Sequence, residues 1–389
     1  MAASDGIATS TNVRFGAQQV ILKESAGAEV SARAAVSRRA AKHNVASGAH
    51  RFSLEARRRG RRMADRIVSR GVLMNANHRL SLENISLAST VIDPVFLNSP
   101  QYLAGSLGQR LGCRLVVKVE TLNPIRSFKG RGAEYLVSSL RGRPNLVCST
   151  AGNFGQGMAY AARKRGLSIT IFVAAEANPL KVERMRGLGA DVRFAKDIDE
   201  AEAAKAFAAE KSSLLVEDGR DAPIAEGAGT IGVELLRWPD AFDAILVPLG
   251  DGSLLAGVSR WVKAHHPDTQ MLGVCAKGSR AMERSWQLGR VQEDRAETIA
   301  DGLAVSRPHP EAVADLTGLA DDIVLAEDNK MLEAMRLAHQ ELGLVLEPSG
   351  AAGLAAHIAD KQRFRGQLVG VILTGSNITT EQIRKWLMS

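Results

Sequence analysis

The stretch Asn123-Pro-Ile-Arg-Ser-Phe-Lys-Gly-Arg-Gly132 follows closely on the apolar run Arg114-Leu-Val-Val-Lys-Val119. The run reads as a strand, and the segment after it as a turn of Gly, Pro and Ser built around Lys129. A lysine that forms Schiff bases needs its amine partly desolvated and held beside an electrophile. Spacing alone leaves the plainer alternative, an exposed charge in a loop, open.

Outward from this segment, short Val-, Ile- and Leu-rich runs alternate with amphipathic stretches. Strands are expected at 114–119, 168–174, 191–194, 214–217, 244–249, 271–276, 323–326 and 368–373. Helical patterns fill 158–165, 179–188, 200–212, 230–237 and 329–342, several stopping at a glycine such as Gly166, Gly189 or Gly343. This alternation predicts an α/β fold with parallel sheets covered on both faces. Such sheets carry their ligands beyond the carboxyl ends of the strands, so the turns there are the places to look for chemistry.

Three more of those turns have unusual composition. Ser149-Thr-Ala-Gly-Asn-Phe-Gly-Gln-Gly157 opens a helical pattern with small residues, which leaves backbone N–H groups free for a carboxylate or phosphate; an ordinary tight turn reads equally well. Pro248-Leu-Gly-Asp-Gly-Ser-Leu-Leu-Ala-Gly257 follows a strand and lets amides close around phosphate oxygens. It matches neither a P-loop nor a dinucleotide fingerprint. Leu346-Glu-Pro-Ser-Gly-Ala351 opens a helix and Ile372-Leu-Thr-Gly-Ser-Asn377 ends the last strand; each is a weak signal alone.

Bulk properties narrow the class. The chain has 389 residues, 45% of them hydrophobic and 24% charged, with no apolar run long enough to span a bilayer. Its length suggests two lobes. Three cysteines, Cys113, Cys148 and Cys275, lack metal-type spacing, so no zinc site or disulfide framework is expected. The formal charge of +8 resides in the tail: residues 1–75 hold 14 Lys and Arg against 5 Asp and Glu, whereas the remainder balances 36 against 37. The tail reads as a basic, disordered extension with few aromatics, which gives no reason to expect nucleic acid. A later start at Met63 or Met74, and organelle targeting, are alternatives for the same segment.

Taken in order, these segments resemble the fold-type-II enzymes of pyridoxal 5′-phosphate (PLP), the tryptophan synthase β-subunit superfamily. The resemblance runs from about Leu82 to the C-terminus and is nearest to the threonine/serine dehydratase and serine racemase branch. It implies a two-lobed parallel-sheet fold with PLP as cofactor. Ser127-Phe-Lys-Gly-Arg-Gly matches the family's Ser-x-Lys segment, making Lys129 the Schiff-base lysine and catalytic base, with Phe128 against the cofactor ring. Asn153 matches the asparagine that bonds the cofactor's 3′-oxygen, and Ser149, Thr150, Ala151, Gly152 and Asn153 the loop that holds the substrate carboxylate. Gly250, Asp251, Gly252, Ser253 and Leu254 match the phosphate cup, and Thr374 the residue facing the pyridine nitrogen. Glu297-Thr-Ile-Ala-Asp-Gly302 and Glu347-Pro-Ser-Gly-Ala351 are similar to segments of the dehydratase branch rather than of cysteine synthases.

The resemblance implies β-elimination from a β-hydroxy amino acid, L-threonine or L-serine by default, to a 2-oxo acid and ammonia. Alternatives are β-replacement or threonine-synthase-like chemistry, and a PLP-binding regulatory protein. Departures from the family pattern matter. Ala151 stands where racemases carry a serine base, which favours elimination, and Phe154 stands where His is common, which alters the expected substrate pocket. Asp251 interrupts the glycines of the cup, where a carboxylate repels phosphate unless it points away. Cys275-Ala-Lys277 lacks the acidic residue of the family's cation site, so no metal is expected. No regulatory domain is expected after the catalytic body. The resulting plan is a tail at 1–74, a large domain at 75–144 plus 223–389, and a small domain at 145–222. A cytoplasmic homodimer or homotetramer acting on a small amino acid, without membrane or nucleic acid, completes it.

Overall fold

The computed structural model describes residues 78–150, 152–175, 177–195 and 199–388. The tail, and with it every expectation for residues 1–74, lies outside the described residues, as does Ala151.

Among the described residues, ten strands form two sheets. The larger has the order β1-β2-β10-β7-β8-β9, with β1 Gln101–Leu103, β2 Arg114–Val119, β7 Ala244–Pro248, β8 Gln270–Ala276, β9 Asp322–Ala326 and β10 Leu368–Leu373. All neighbours are parallel except β1, which runs antiparallel to β2 at the edge. The smaller sheet is all parallel, in the order β5-β4-β3-β6, with β3 Leu146–Ser149, β4 Ile169–Val173, β5 Asp191–Phe194 and β6 Leu214–Leu215.

Strand β2 shows how a doubly covered sheet writes itself in sequence. Leu115, Val117 and Val119 point into one apolar cluster, and Val116 into the other across the sheet. Both faces are buried, so the strand is a continuous run of Val and Leu without polar alternation. Lys118 interrupts that run and is 1% exposed. Its Nζ meets Glu234 at 2.5 Å, and Glu234 also binds Arg131, which is fully buried and reaches Glu120 at 2.8 Å. Two cations and two carboxylates thus cancel inside the core. Removing any one of them would strand a buried charge, at a cost of roughly 3–5 kcal/mol.

The expected strands all occur, with ends shifted by a residue or two. Two were not foreseen: β1, three residues at an edge, and β3, four residues ahead of the Ser149 turn. The helix expected from 230 begins at Ala222, and the one expected from 158 begins at Asn153. In the first of these, Gly227, Gly229 and Gly232 are packing surfaces. A Cβ at Gly229 would lie 3.0 Å from the Gly257 carbonyl, and one at Gly227 would lie 2.6 Å from the Arg131 carbonyl. Close backbone approach outweighs the poor helix propensity of glycine there.

Candidate active site

Three of the four segments converge because their strands are neighbours. β2, β10 and β7 lie side by side, and the turns at their carboxyl ends carry Lys129, Thr374 and Gly250. The turn after β3 carries Asn153.

Lys129 opens the helix Lys129–Ser139. The Phe128 N–H before it donates to the carbonyl of Thr374 at 3.1 Å, and Ser127 forms an isolated bridge with Gly375. The lysine turn is thereby stitched to the end of β10. Lys129 Nζ sits 4.8 Å from the centroid of the half-buried Phe128 ring. It donates to Asp218 Oδ2 at 2.6 Å and to Asp251 Oδ2 at 2.5 Å, and its side chain is only 12% exposed. Burial alone would lower the amine, but the two carboxylates outweigh it and hold it above the usual lysine range. The carboxylates differ. Burial and the charge of Asp251 push Asp218 up to about 6 against the pull of Lys129. Asp251, despite its burial, is held down to about 2 by Lys129 and by the Ser253 amide.

The glycine loop leads into the helix Ser253–His265 through Gly252, whose φ of 106° requires glycine. Gly250 is equally confined, since a Cβ there would lie 2.3 Å from the Gly302 carbonyl. Asp251 does not point away from this cup. Its Oδ1 accepts from the Ser253 amide at 2.9 Å while its Oδ2 takes the lysine. The Ser253 hydroxyl donates to Asp218 at 2.9 Å, and Ser253 and Leu254 are buried.

A second group surrounds Asn153, which begins the helix Asn153–Lys164. Its Nδ2 donates to Glu347 at 2.5 Å and its Oδ1 accepts from Asn377 at 2.8 Å. Glu347 also accepts from the Asn377 amide at 3.2 Å and pairs with Lys181 at 3.6 Å. Lys181, 1% exposed, further pairs with Asp301 at 2.5 Å. Burial pushes the Glu347 carboxyl up against the pull of Lys181. Gly375 fits between these groups: a Cβ there would lie 2.0 Å from Glu347 Oε1 and 3.1 Å from Asn153 Nδ2. Beside Asn153, the Thr150 hydroxyl accepts from the Gly152 amide at 3.0 Å, and Ser149 is half-buried. Phe154 is 4% exposed and packs into the apolar cluster under the small sheet, so its ring serves the core. The Asn377 side chain joins the two groups, donating to the carbonyl of Ile125 in the lysine turn at 2.8 Å as well as to Asn153.

The donor set suits an aldehyde cofactor with a phosphate. A shielded primary amine, a glycine-lined helix start with free N–H groups and the buried Thr374 hydroxyl are its natural partners. Lys129 would hold the aldehyde end. The amides of the Gly250–Leu254 loop would hold the phosphate, once Asp251 yields the Ser253 N–H.

Asp218, Lys181, Glu347 and Asn377 had no assigned role from sequence. Asp218-Gly219, three residues past the end of β6, is a turn at a strand's carboxyl end, the signal that could have found it. The others are recognisable only once three distant segments meet.

The family of pyridoxal-phosphate dependent enzymes matches residues 92–375, and the chain belongs to it; its cofactor is PLP and its fold is that of the fold-type-II enzymes. Within that family it is similar to an L-threo-3-hydroxyaspartate ammonia-lyase of Pseudomonas sp, 32% identical over 290 residues, which make up 73% of this chain and 91% of that protein. A solved threonine deaminase of T.th. superposes with a TM-score of 0.73 at 32% identity, covering 77% of this chain and 99% of that one. Maize serine racemase gives 0.74 at 26% identity, covering 79% and 96%.

Proposed function

We propose that this enzyme removes the β-hydroxyl and the amino group from a β-hydroxy amino acid, with L-threonine and L-serine as the default substrates, leaving a 2-oxo acid and ammonia. The observation that carries the reading is the contact between Lys129 and Asp218. Elimination needs one group that accepts a proton at Cα and one that delivers a proton to the departing hydroxyl. Here both carboxylates hold Lys129 protonated, but once its amine is freed and unprotonated it would accept the Cα proton, and Asp218, raised by burial to about 6, would deliver one. When bound, PLP supplies the electron sink. Lys129 would carry the cofactor and then serve as base at Cα, and Asp218 would hold the proton that leaves with the hydroxyl. Phe128 would flank the ring, Asn153 would meet its 3′-oxygen and Thr374 its nitrogen. Ser149, Thr150, Ala151, Gly152 and Asn153 receive the substrate carboxylate. Two similar proteins, named for ammonia-lyase and threonine deaminase chemistry, support this reading.

The same reading divides the body into a small domain at 145–222 and a large one at 75–144 plus 223–389; all four strands of the small sheet fall within the first range. It includes a homo-oligomer, supported by the exposed Leu87, Val91, Val95, Tyr102, Leu103 and Leu122, and a cytoplasmic setting, supported by the three free thiols. Among the described residues no helix is long and apolar enough to cross a membrane.

The test is a purified sample examined for the absorbance of bound PLP, then given L-threonine, L-serine and a panel of β-substituted amino acids while 2-oxo acid is followed. A yellow protein that releases 2-oxo acid, together with a colourless, inactive Lys129→Ala variant, supports elimination. A yellow protein that yields no 2-oxo acid but joins thiols to an activated serine would replace it with β-replacement. Bound cofactor without any turnover would point to a regulatory protein.

A further inference from the structure

We propose that Asn377, Gln156 and Arg184 are positioning residues that fix which end of the Asn153 side-chain amide meets the cofactor, so that an N–H and not a carbonyl faces the 3′-oxygen. The inference rests on the placement of Asn153 at that oxygen in the reading above, and adds the residues that set its polarity.

A side-chain amide has an oxygen that only accepts and a nitrogen that only donates, and the two ends are nearly equal in shape. Packing therefore does not choose between them; the hydrogen-bond partners do. Asn377 has no freedom of this kind. Arg184, from the helix Pro179–Gly187, donates through Nη1 to Asn377 Oδ1, and a guanidinium has no acceptor to offer instead. On its other side Asn377 Nδ2 donates at 2.8 Å to the backbone carbonyl of Ile125, which has no donor. One pure donor and one pure acceptor thus hold Asn377 in a single sense. It is 1% exposed, so water does not compete for either end.

The remaining hydrogen of Asn377 Nδ2 goes to Asn153 Oδ1 at 2.8 Å. Gln156, one turn along the helix Asn153–Lys164 and also 1% exposed, brings Nε2 to the same oxygen at 3.4 Å. Its own Oε1 is buried without a hydrogen-bond partner among the described residues, which marks a side chain placed for what its other end gives. Reversing Asn153 would set its NH2 against two donors. It would also turn its oxygen toward Glu347, which accepts from Nδ2 at 2.5 Å. Buried groups would then lose their partners on both sides, so the reversed amide is not populated. Glu347 takes one hydrogen of Nδ2, and the second has no other partner among the described residues. That second N–H is the one offered to the 3′-oxygen. A donor there favours the oxygen as an anion, whereas a carbonyl would repel it.

Neutron diffraction from deuterium-exchanged crystals of the PLP-loaded full chain reads the Asn153 amide directly. Its deuterons should point at Glu347 and at the 3′-oxygen, with Oδ1 toward Asn377 and Gln156. The reverse orientation, or a 3′-oxygen bonded elsewhere, would overturn the proposal. In solution, Asn377→Asp keeps the shape and the Arg184 partner but removes both donated bonds. The visible band of the bound cofactor, which reports the anionic 3′-oxygen, should fall against the near-ultraviolet band by about tenfold, as expected for one hydrogen bond to a charged group. Gln156→Glu should move the ratio in the same direction by less. Arg184→Lys, which still only donates, should leave it within about twofold of wild type. A merely structural role would lower the melting temperature without moving this ratio. A folded Asn377→Asp variant with the wild-type ratio would therefore sink the assignment. If the deuterons and the ratio behave as expected but no amino acid is deaminated, the positioning stands and the elimination reading falls.

Discussion

The carboxylate of Asp251 reaches Nζ of Lys129 at 2.5 Å from within the loop whose amides should receive a phosphate. One side chain thus links the two halves of the cofactor site, bonding the amine with one oxygen and a helix-opening N–H with the other. It competes for both.

Replacing Asp251 by glycine should therefore tighten cofactor binding. A carboxylate beside a phosphate in this partly exposed loop is worth on the order of 1–3 kcal/mol of net repulsion, so the expected gain is on the order of ten- to a hundredfold. Titration of cofactor-free protein with PLP, followed by absorbance, measures it. Weaker binding in Asp251→Gly would show that the carboxylate helps to seat the cofactor.

Asp218→Asn should change how cofactor-free stability depends on pH. Asp218 is raised to about 6, above the ordinary aspartate value of 3.8, so the folded state binds its proton more tightly than the unfolded chain does. That contribution is full below about pH 4 and is lost as pH rises through 6, at most a few kcal/mol. Asparagine does not ionise. The melting temperature of the variant should gain on wild type across this window, and parallel curves would contradict the assignment.

Lys181→Met should destabilise the protein by roughly 3–5 kcal/mol, because it leaves Glu347 buried without its cation. Protonation relieves that charge, so the deficit should be smaller at pH 5 than at pH 8 in chemical denaturation. A deficit independent of pH would mean that packing, not charge, is at stake.

Gly375→Ala should break the bond between Asn153 and Glu347, since the new methyl would occupy the place of Glu347 Oε1. Activity is expected to drop at least tenfold, with a fall of several degrees in melting temperature. Unchanged kcat/KM would remove Asn153 from the working site.

The large sheet was readable because its strands are buried on both faces and so carry unbroken Val, Ile and Leu, as in β2 and β10. β1 and β3 were missed because three or four residues give too little pattern to separate from a loop. The helix from Ala222 was read eight residues late because its glycines are chosen for contact with neighbouring backbones. Within the site, Lys129, the Gly250 loop and Asn153 are each marked by local composition. The partners are not. Lys181, Asp301 and Glu347 lie far apart in the chain and acquire meaning only when the turns converge. Asp251 was legible as an oddity, but its direction was not: only folding shows that it faces the lysine.

The fully buried Arg131 lies two residues beyond Lys129 and is clamped by Glu120 at the end of β2 and by Glu234 on the neighbouring helix. The first turn of the lysine's helix is thereby prevented from sliding or rotating. Lys129 is tethered to a buried, doubly paired residue, so travel of its amine is expected to come from its own side-chain torsions. The two stations of the amine can be no farther apart than one lysine side chain swings, so reactants have to be brought within that radius.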